Sequence, residues 1–213
     1  MIDYSYEGYD DLFKKAGLAY YPYVGWKFGE KYPRILFLGE SHDYRGLSPE
    51  EYAAWNNDHY RTREVVVDDN NRGYQNAAKM IALGSGDYER IWDRIVMYNF
   101  LHYHLLPGAD KWNIDESLLA YSRGLYHEVL RMMELDLVIA WGVTYLYERW
   151  MWEPQSEFTL IDNPSGLLLY RYNSYPYTYV WHIRHPSRFF SVATWASKYR
   201  EVLDIIGLPQ IMV

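Results

Sequence analysis

Cysteine is absent from the 213 residues, which excludes disulfides, thiolate zinc sites, cysteine-ligated iron–sulfur clusters and cysteine nucleophiles together. No apolar run approaches the roughly 20 residues that span a bilayer. The opening MIDYSYEGYD is acidic and aromatic, not a basic leader with an apolar centre. The expectation is a soluble, unexported, cytoplasmic protein that does not enter a membrane. Long Ser-, Gly- or Pro-rich tracts are missing too, so no linker is marked, and residues 1–213 are read as a single domain with an aromatic-rich lead-in at 1–33. Acidic side chains are missing from residues 163–200, where Arg171, Arg184, Arg188, Lys198 and Arg200 stand. That stretch carries +5 in a chain of net charge −7, so the remainder carries −12. An acidic body with one basic segment can still hold a polyanion locally, because phosphate contacts depend on the patch and not on the total. A solvated basic face has the same composition.

What is abundant is aromatic. Tyr 24 and Trp 9 help bring aromatics to 19%, more than a core of this size needs, so some rings are expected on a surface or cleft. The apolar pattern alternates strands with helices. A short helix is predicted over 9–16, then a first clear strand at 35–38. Ser48-Pro49-Glu50 reads as a helix start, with serine as N-cap and proline in the first turn. A helix is expected over 74–83, a strand at RIVMYNF (94–100), and a long helix capped by Asp115 with Leu118, Leu119, Tyr126, Val129 and Met133 at helical spacing. LDLVIAWG is a buried strand ending at Gly142, and VTYLYERW after it is a helix. GLLLYRYNSYPYTYVWHI reads as two strands joined by a turn over 173–176. Val192, Trp195, Ala196, Tyr199, Val202, Leu203 and Ile206 line a closing helix stopped by Gly207 and Pro209.

This alternation predicts an α/β fold, three-layer α/β/α, with a central, mostly parallel four-stranded sheet. Ligands in such sheets bind at the carboxyl ends of the strands. Three of those ends turn abruptly polar: Gly39-Glu40-Ser41-His42-Asp43, Asn99, and Arg184-His185-Pro186-Ser187. A glycine there lets the backbone turn tightly or approach a ligand, and the side chains after it project from a rigid strand tip.

A carboxylate, an amide and an imidazole in this order resemble the uracil-DNA glycosylase superfamily, over roughly residues 32–199. The chain looks like a divergent member without an iron–sulfur cluster. In that superfamily a Gly-led motif after the first strand carries the acid or amide that positions water or stabilises the sugar cation, here Gly39-Glu40. A middle strand ends in an asparagine that reads the base edge, matched by Asn99. A late His-Pro-Ser supplies the catalytic histidine and a phosphate-contacting serine, matched by His185-Pro186-Ser187. The resemblance implies Glu40 and His185 as catalytic residues. Gly39, Ser41, His42, Tyr44 and Asn99 would bind the base, while Ser187, Arg184, Arg188, Phe189 and Phe190 would meet DNA. Phe189 and Phe190 fall where the family places the wedge that fills the stack after a nucleotide flips out. After Glu40 the chain has Ser41, His42 and Asp43 where the best-studied branch has aspartate, proline and tyrosine. Tyr44 therefore stands one residue away as the pocket-guarding ring, and Tyr52, Trp55 and Tyr60 all remain open as the ring that stacks on the base.

These side chains suit hydrolysis of an N-glycosidic bond. The sugar becomes cation-like and the base anionic as they part, so negative charge is needed on one side and a hydrogen-bond donor on the other. Asn99 offers a donor and an acceptor for an imide or amide edge. The expectation is a DNA glycosylase acting on uracil first and hypoxanthine or xanthine next, a monomer on single- or double-stranded DNA, with no metal and no cofactor. Two alternatives stand beside it: a catalytically inactive nucleic-acid or nucleobase binder of the same fold, and a metal-dependent hydrolase built on Gly-Glu and a histidine. His102 and His104 alternate as metal ligands would, but no third ligand lies near them in sequence, and they are read as ordinary strand-end histidines.

Overall fold

The computed structural model describes residues 5–30, 33–42, 48, 50–51, 54, 58–67, 71–83, 86–103, 110–111, 113–142, 151, 157–187 and 189–211. Among the described residues seven strands form one sheet in the order β1-β3-β2-β4-β7-β6-β5. They are β1 (Tyr23–Val24), β2 (Ile35–Gly39), β3 (Val96–Asn99), β4 (Leu137–Trp141), β5 (Phe158–Leu160), β6 (Leu169–Tyr172) and β7 (Tyr179–Ile183). The pairs β2–β3, β2–β4 and β4–β7 are parallel; β1 joins one edge antiparallel, and β6 then β5 extend the other. The α/β class is as the alternation predicts. The expected four-stranded sheet is corrected to seven strands among the described residues, because the aromatic lead-in supplies β1 at one edge and the segment after β4 supplies β5 and β6 at the other.

Helices α1 (Asp10–Ala16), α2 (Arg61–Val67), α3 (Arg72–Ile81), α4 (Glu116–Met133) and α5 (Val192–Ile206) cover the sheet. Strand alternation sorts the core between its two faces. Leu36, Leu38, Val96, Tyr98, Val138 and Ala140 pack with Phe13 of α1 and with Leu119, Tyr126, Val129 and Met133 of α4. Ile35, Phe37, Met97, Ile139, Trp141 and Trp181 pack with Ala77, Ala78 and Ile81 of α3 and with Tyr199, Val202 and Leu203 of α5. Both faces are therefore apolar, as a strand buried on two sides requires.

Local chemistry sets the helix ends. Asp115 accepts from Ser117 N–H and Ser191 from Thr194 N–H as N-caps of α4 and α5. Ser48 and Glu51 exchange bonds, the Ser48 N–H donating to the glutamate (2.8 Å) and the Glu51 N–H to the serine oxygen (3.2 Å), a capping box at the predicted start. Helix α3 starts two residues before the predicted position, because Asn71 caps it through Gly73 N–H. Arg94, predicted in a strand, ends a 3-10 helix over Tyr88–Arg94, and the strand begins only at Val96. Leu118 is more than a third exposed, while Leu119, Tyr126, Val129 and Met133 are buried. The predicted helix over 143–150 and the stop at Gly84 lie outside the described residues.

The chain runs from β2 to β3 on one side, then crosses to β4 on the other side of β2, and from there reaches the far edge at β5 and returns inward through β6 to β7, which pairs with β4. The connections leaving β2 and β4 thus part in opposite directions. This is the switch point of the sheet, the place where sheets of this class bind ligands at their carboxyl ends. No helix among the described residues is long and apolar enough to cross a membrane.

Candidate functional site

Gly39 ends β2 opposite Asn99 in register. The ladder continues past it: Phe100 N–H donates to Gly39 O (2.9 Å) and Leu101 N–H to Glu40 O (3.0 Å). A Cβ on Gly39 would lie 2.2 Å from Asn99 Oδ1 and 2.7 Å from Trp141 Nε1. No side chain fits there, which is the physical reason for glycine at this strand tip. Across the switch point, Gly142 adopts φ +116°, and a Cβ built on it would lie 2.2 Å from Glu40 Oε1. The bare α-carbon of Gly142 thus makes room for the acid. Its other oxygen, Oε2, accepts from Lys111 Nζ at 2.7 Å, with the glutamate side chain only 14% exposed. Ser41, next in the motif, is half-buried.

Asn99 and His42 are buried together. Asn99 Nδ2 lies 3.3 Å from both ring nitrogens of His42, whose Nε2 is 3.2 Å from Thr62 Oγ1, and Tyr20 meets the imidazole edge-on at 5.1 Å. The amide expected to read a base is already engaged by the histidine expected beside it. Tyr60 packs against Tyr21 and under the Arg63 guanidinium. Tyr44, Tyr52, Trp55, Arg188 and His104 lie outside the described residues.

His185 follows β7. The Ser187 N–H donates to its Nδ1 (3.3 Å), and the Ser187 hydroxyl is 2.9 Å from the same nitrogen. An Nδ1 that accepts from a backbone N–H leaves the neutral ring's proton on Nε2, which is then a hydrogen-bond donor. The ring packs on Trp141 with centroids 5.7 Å apart, and Trp141 in turn stacks on Phe37 and meets Tyr74 edge-on. Burial pushes the His185 pKa down; Glu40 pulls it up, and Lys111 again lowers it. Pro186 is buried, and its carbonyl accepts from Asn76 Nδ2 of α3 at 2.7 Å, which pins the turn carrying His185.

Beside this turn lies a cleft of about 690 Å³ lined by Arg72, Asn76, Ser187, Phe189, Phe190 and Ser191. The two phenylalanines part company. Phe189 is 93% exposed at φ +50°, whereas Phe190 stacks on Trp195 with centroids 5.5 Å apart. Arg184 and Arg72 are exposed. His102 is a buried neutral imidazole: Ala19 N–H donates to its Nδ1 (3.3 Å) and its Nε2 pairs with the Tyr98 hydroxyl. Among the described residues no three His, Asp or Glu side chains gather in a metal-holding group.

Of the three polar strand ends read from the sequence, Gly39, Glu40 and Asn99 lie on the adjoining strands β2 and β3, and His185 follows β7, separated from β2 by β4. Sequence reasoning missed Lys111, Trp141, Gly142 and Asn76. Gly142 and Trp141 carried a signal, an apolar strand ending in glycine; Lys111 and Asn76 carried none, being single polar residues in unremarked stretches. No family model matches the chain, and no curated protein matches it.

Proposed function

We propose that this protein is a base-excising N-glycosyl hydrolase of the uracil-DNA glycosylase kind, acting on a deaminated base in DNA. The observation that carries the reading is that Glu40 stands at the switch point within electrostatic reach of His185, whose pKa its charge raises. One is a carboxylate at the switch point; the other is an imidazole whose Nδ1 is tied to Ser187, leaving Nε2–H to donate. In this reading the four mutually parallel strands are the glycosylase-like centre of the sheet, and the three antiparallel strands are additions at its edges.

The C1′–N bond breaks with its electron pair moving to the base. His185 Nε2–H donates to the oxygen on which that charge collects, and the Glu40 carboxylate faces the cation-like sugar and orients a water. Water adds to C1′, its proton balances the released base, and an abasic sugar remains. Ser187 and Arg184 meet backbone phosphate, and Phe189, exposed on a left-handed backbone, enters the stack left by the flipped nucleotide. The partner is DNA, engaged by a cytoplasmic monomer.

A second reading has its own support. Lys111 holds Glu40, and His42 engages the Asn99 amide, as in a nucleobase or nucleic-acid binder that has lost turnover. Release of free base from single- and double-stranded oligonucleotides carrying uracil, hypoxanthine or xanthine separates the two. Turnover supports the hydrolase; salt-sensitive binding without base release supports the binder.

A further inference from the structure

Lys111 reaches Glu40 across 71 residues of sequence. The pair is partly sheltered, the lysine side chain 33% and the glutamate 14% exposed. The other carboxylate oxygen, Oε1, fills the space a side chain at Gly142 would take, since even a methyl there would sit 2.2 Å from it. One oxygen is held by an ammonium and the other pressed to bare backbone, so the rotamer of Glu40 is fixed by two groups from distant parts of the chain. A lone glutamate at a strand tip would sample several rotamers, and a misplaced acid loses catalytic rate steeply.

We propose that Lys111 is a positioning residue of this site: its ammonium clamps the Glu40 carboxylate against Gly142 and sets how the acid is presented to substrate. The inference rests on the hydrolase reading for its catalytic consequence, but the clamp itself does not. Lys111 also acts on the imidazole. Among the described residues, Glu40 favours the imidazolium of His185 and Lys111 opposes it. Removing the lysine leaves the acid both loose and unopposed.

The test compares Lys111→Met and Lys111→Arg with wild type in base release, thermal melting and NMR titration of the His185 ring. Lys111→Met is expected to lower kcat by about tenfold or more with KM changed less than about twofold. Its melting temperature should stay near wild type, and the His185 titration midpoint should move up. Lys111→Arg should restore most of the rate. An unmoved His185 titration in Lys111→Met overturns the clamp. So does a loss confined to KM with a salt slope smaller by about one, which would make Lys111 a phosphate contact instead. If wild type releases no base from any oligonucleotide, the hydrolase reading fails; the His185 titration still decides whether Lys111 governs the Glu40–His185 pair.

Discussion

Gly142 and Glu40 meet at the switch point of the sheet so closely that a methyl group on the glycine would lie 2.2 Å from the glutamate Oε1. Gly142 also holds φ +116°, so alanine there faces both backbone strain and a collision with the acid. Gly142→Ala should cost roughly 2–4 kcal/mol of stability in urea denaturation and abolish base release. Gly166 separates the two causes, having φ +62° with nothing within 4 Å. Gly166→Ala should cost only about 1 kcal/mol and leave activity intact. Equal costs at the two positions would refute the contact.

Buried histidines should make the fold acid-labile. Burial lowers the pKa of both His102 and His182 to about 3, whereas an unfolded histidine takes its proton near pH 6.5. Between those values the unfolded chain holds more protons than the folded one, so stability is lost as pH falls through that window. Each site contributes a slope of at most about 1.4 kcal/mol per pH unit. Urea midpoints at pH 7.5, 5.5 and 4.5 should fall in that order, and His102→Gln should flatten the fall. A midpoint constant over this range would contradict the assignment of these imidazoles as neutral.

The turn that carries His185 is held from outside by Asn76, which donates to the Pro186 carbonyl at 2.7 Å. Asn76→Ala should cost about 1 kcal/mol and reduce kcat while DNA affinity stays close to wild type. An affinity loss with kcat preserved would mean that Asn76 serves the cleft instead of the turn.

Arg72 and Phe189 bound that cleft and meet solvent. If DNA lies across it, Arg72→Ala should weaken oligonucleotide binding at every sequence and lower the salt slope by about one. Phe189→Ala should slow release from duplex far more than from single strands, because only a duplex needs its stack filled. Its melting temperature should not fall, since the side chain makes little of the core and its φ of +50° is unfavourable for a bulky residue. Equal losses on the two substrates would assign Phe189 another role.

The strand ends were legible because burial on both faces gives a continuous apolar run, and a glycine followed by an acid breaks it visibly; Ile35 to Glu40 is such a run. The long helix α4 was legible too, from Asp115 and the spacing of Leu119, Tyr126, Val129 and Met133. Strand β1 was not, because Tyr23 and Val24 are two residues within an aromatic stretch that shows no alternation. Strand β5 was hidden for the opposite reason: its residues are half or fully exposed and give no apolar signal. The partners of the site residues were the least legible. Lys111 pairs with an acid 71 positions away, and Asn76 with a carbonyl 110 positions away; only the sheet order brings them together.

The most direct test follows free base by chromatography from a uracil-containing single strand, with wild type, Glu40→Gln and His185→Ala at equal concentration. The account predicts release by wild type, a fall of about a hundredfold or more in each variant, and unchanged oligonucleotide affinity in Glu40→Gln. Release that survives both substitutions would show that Glu40 and His185 are not the catalytic pair.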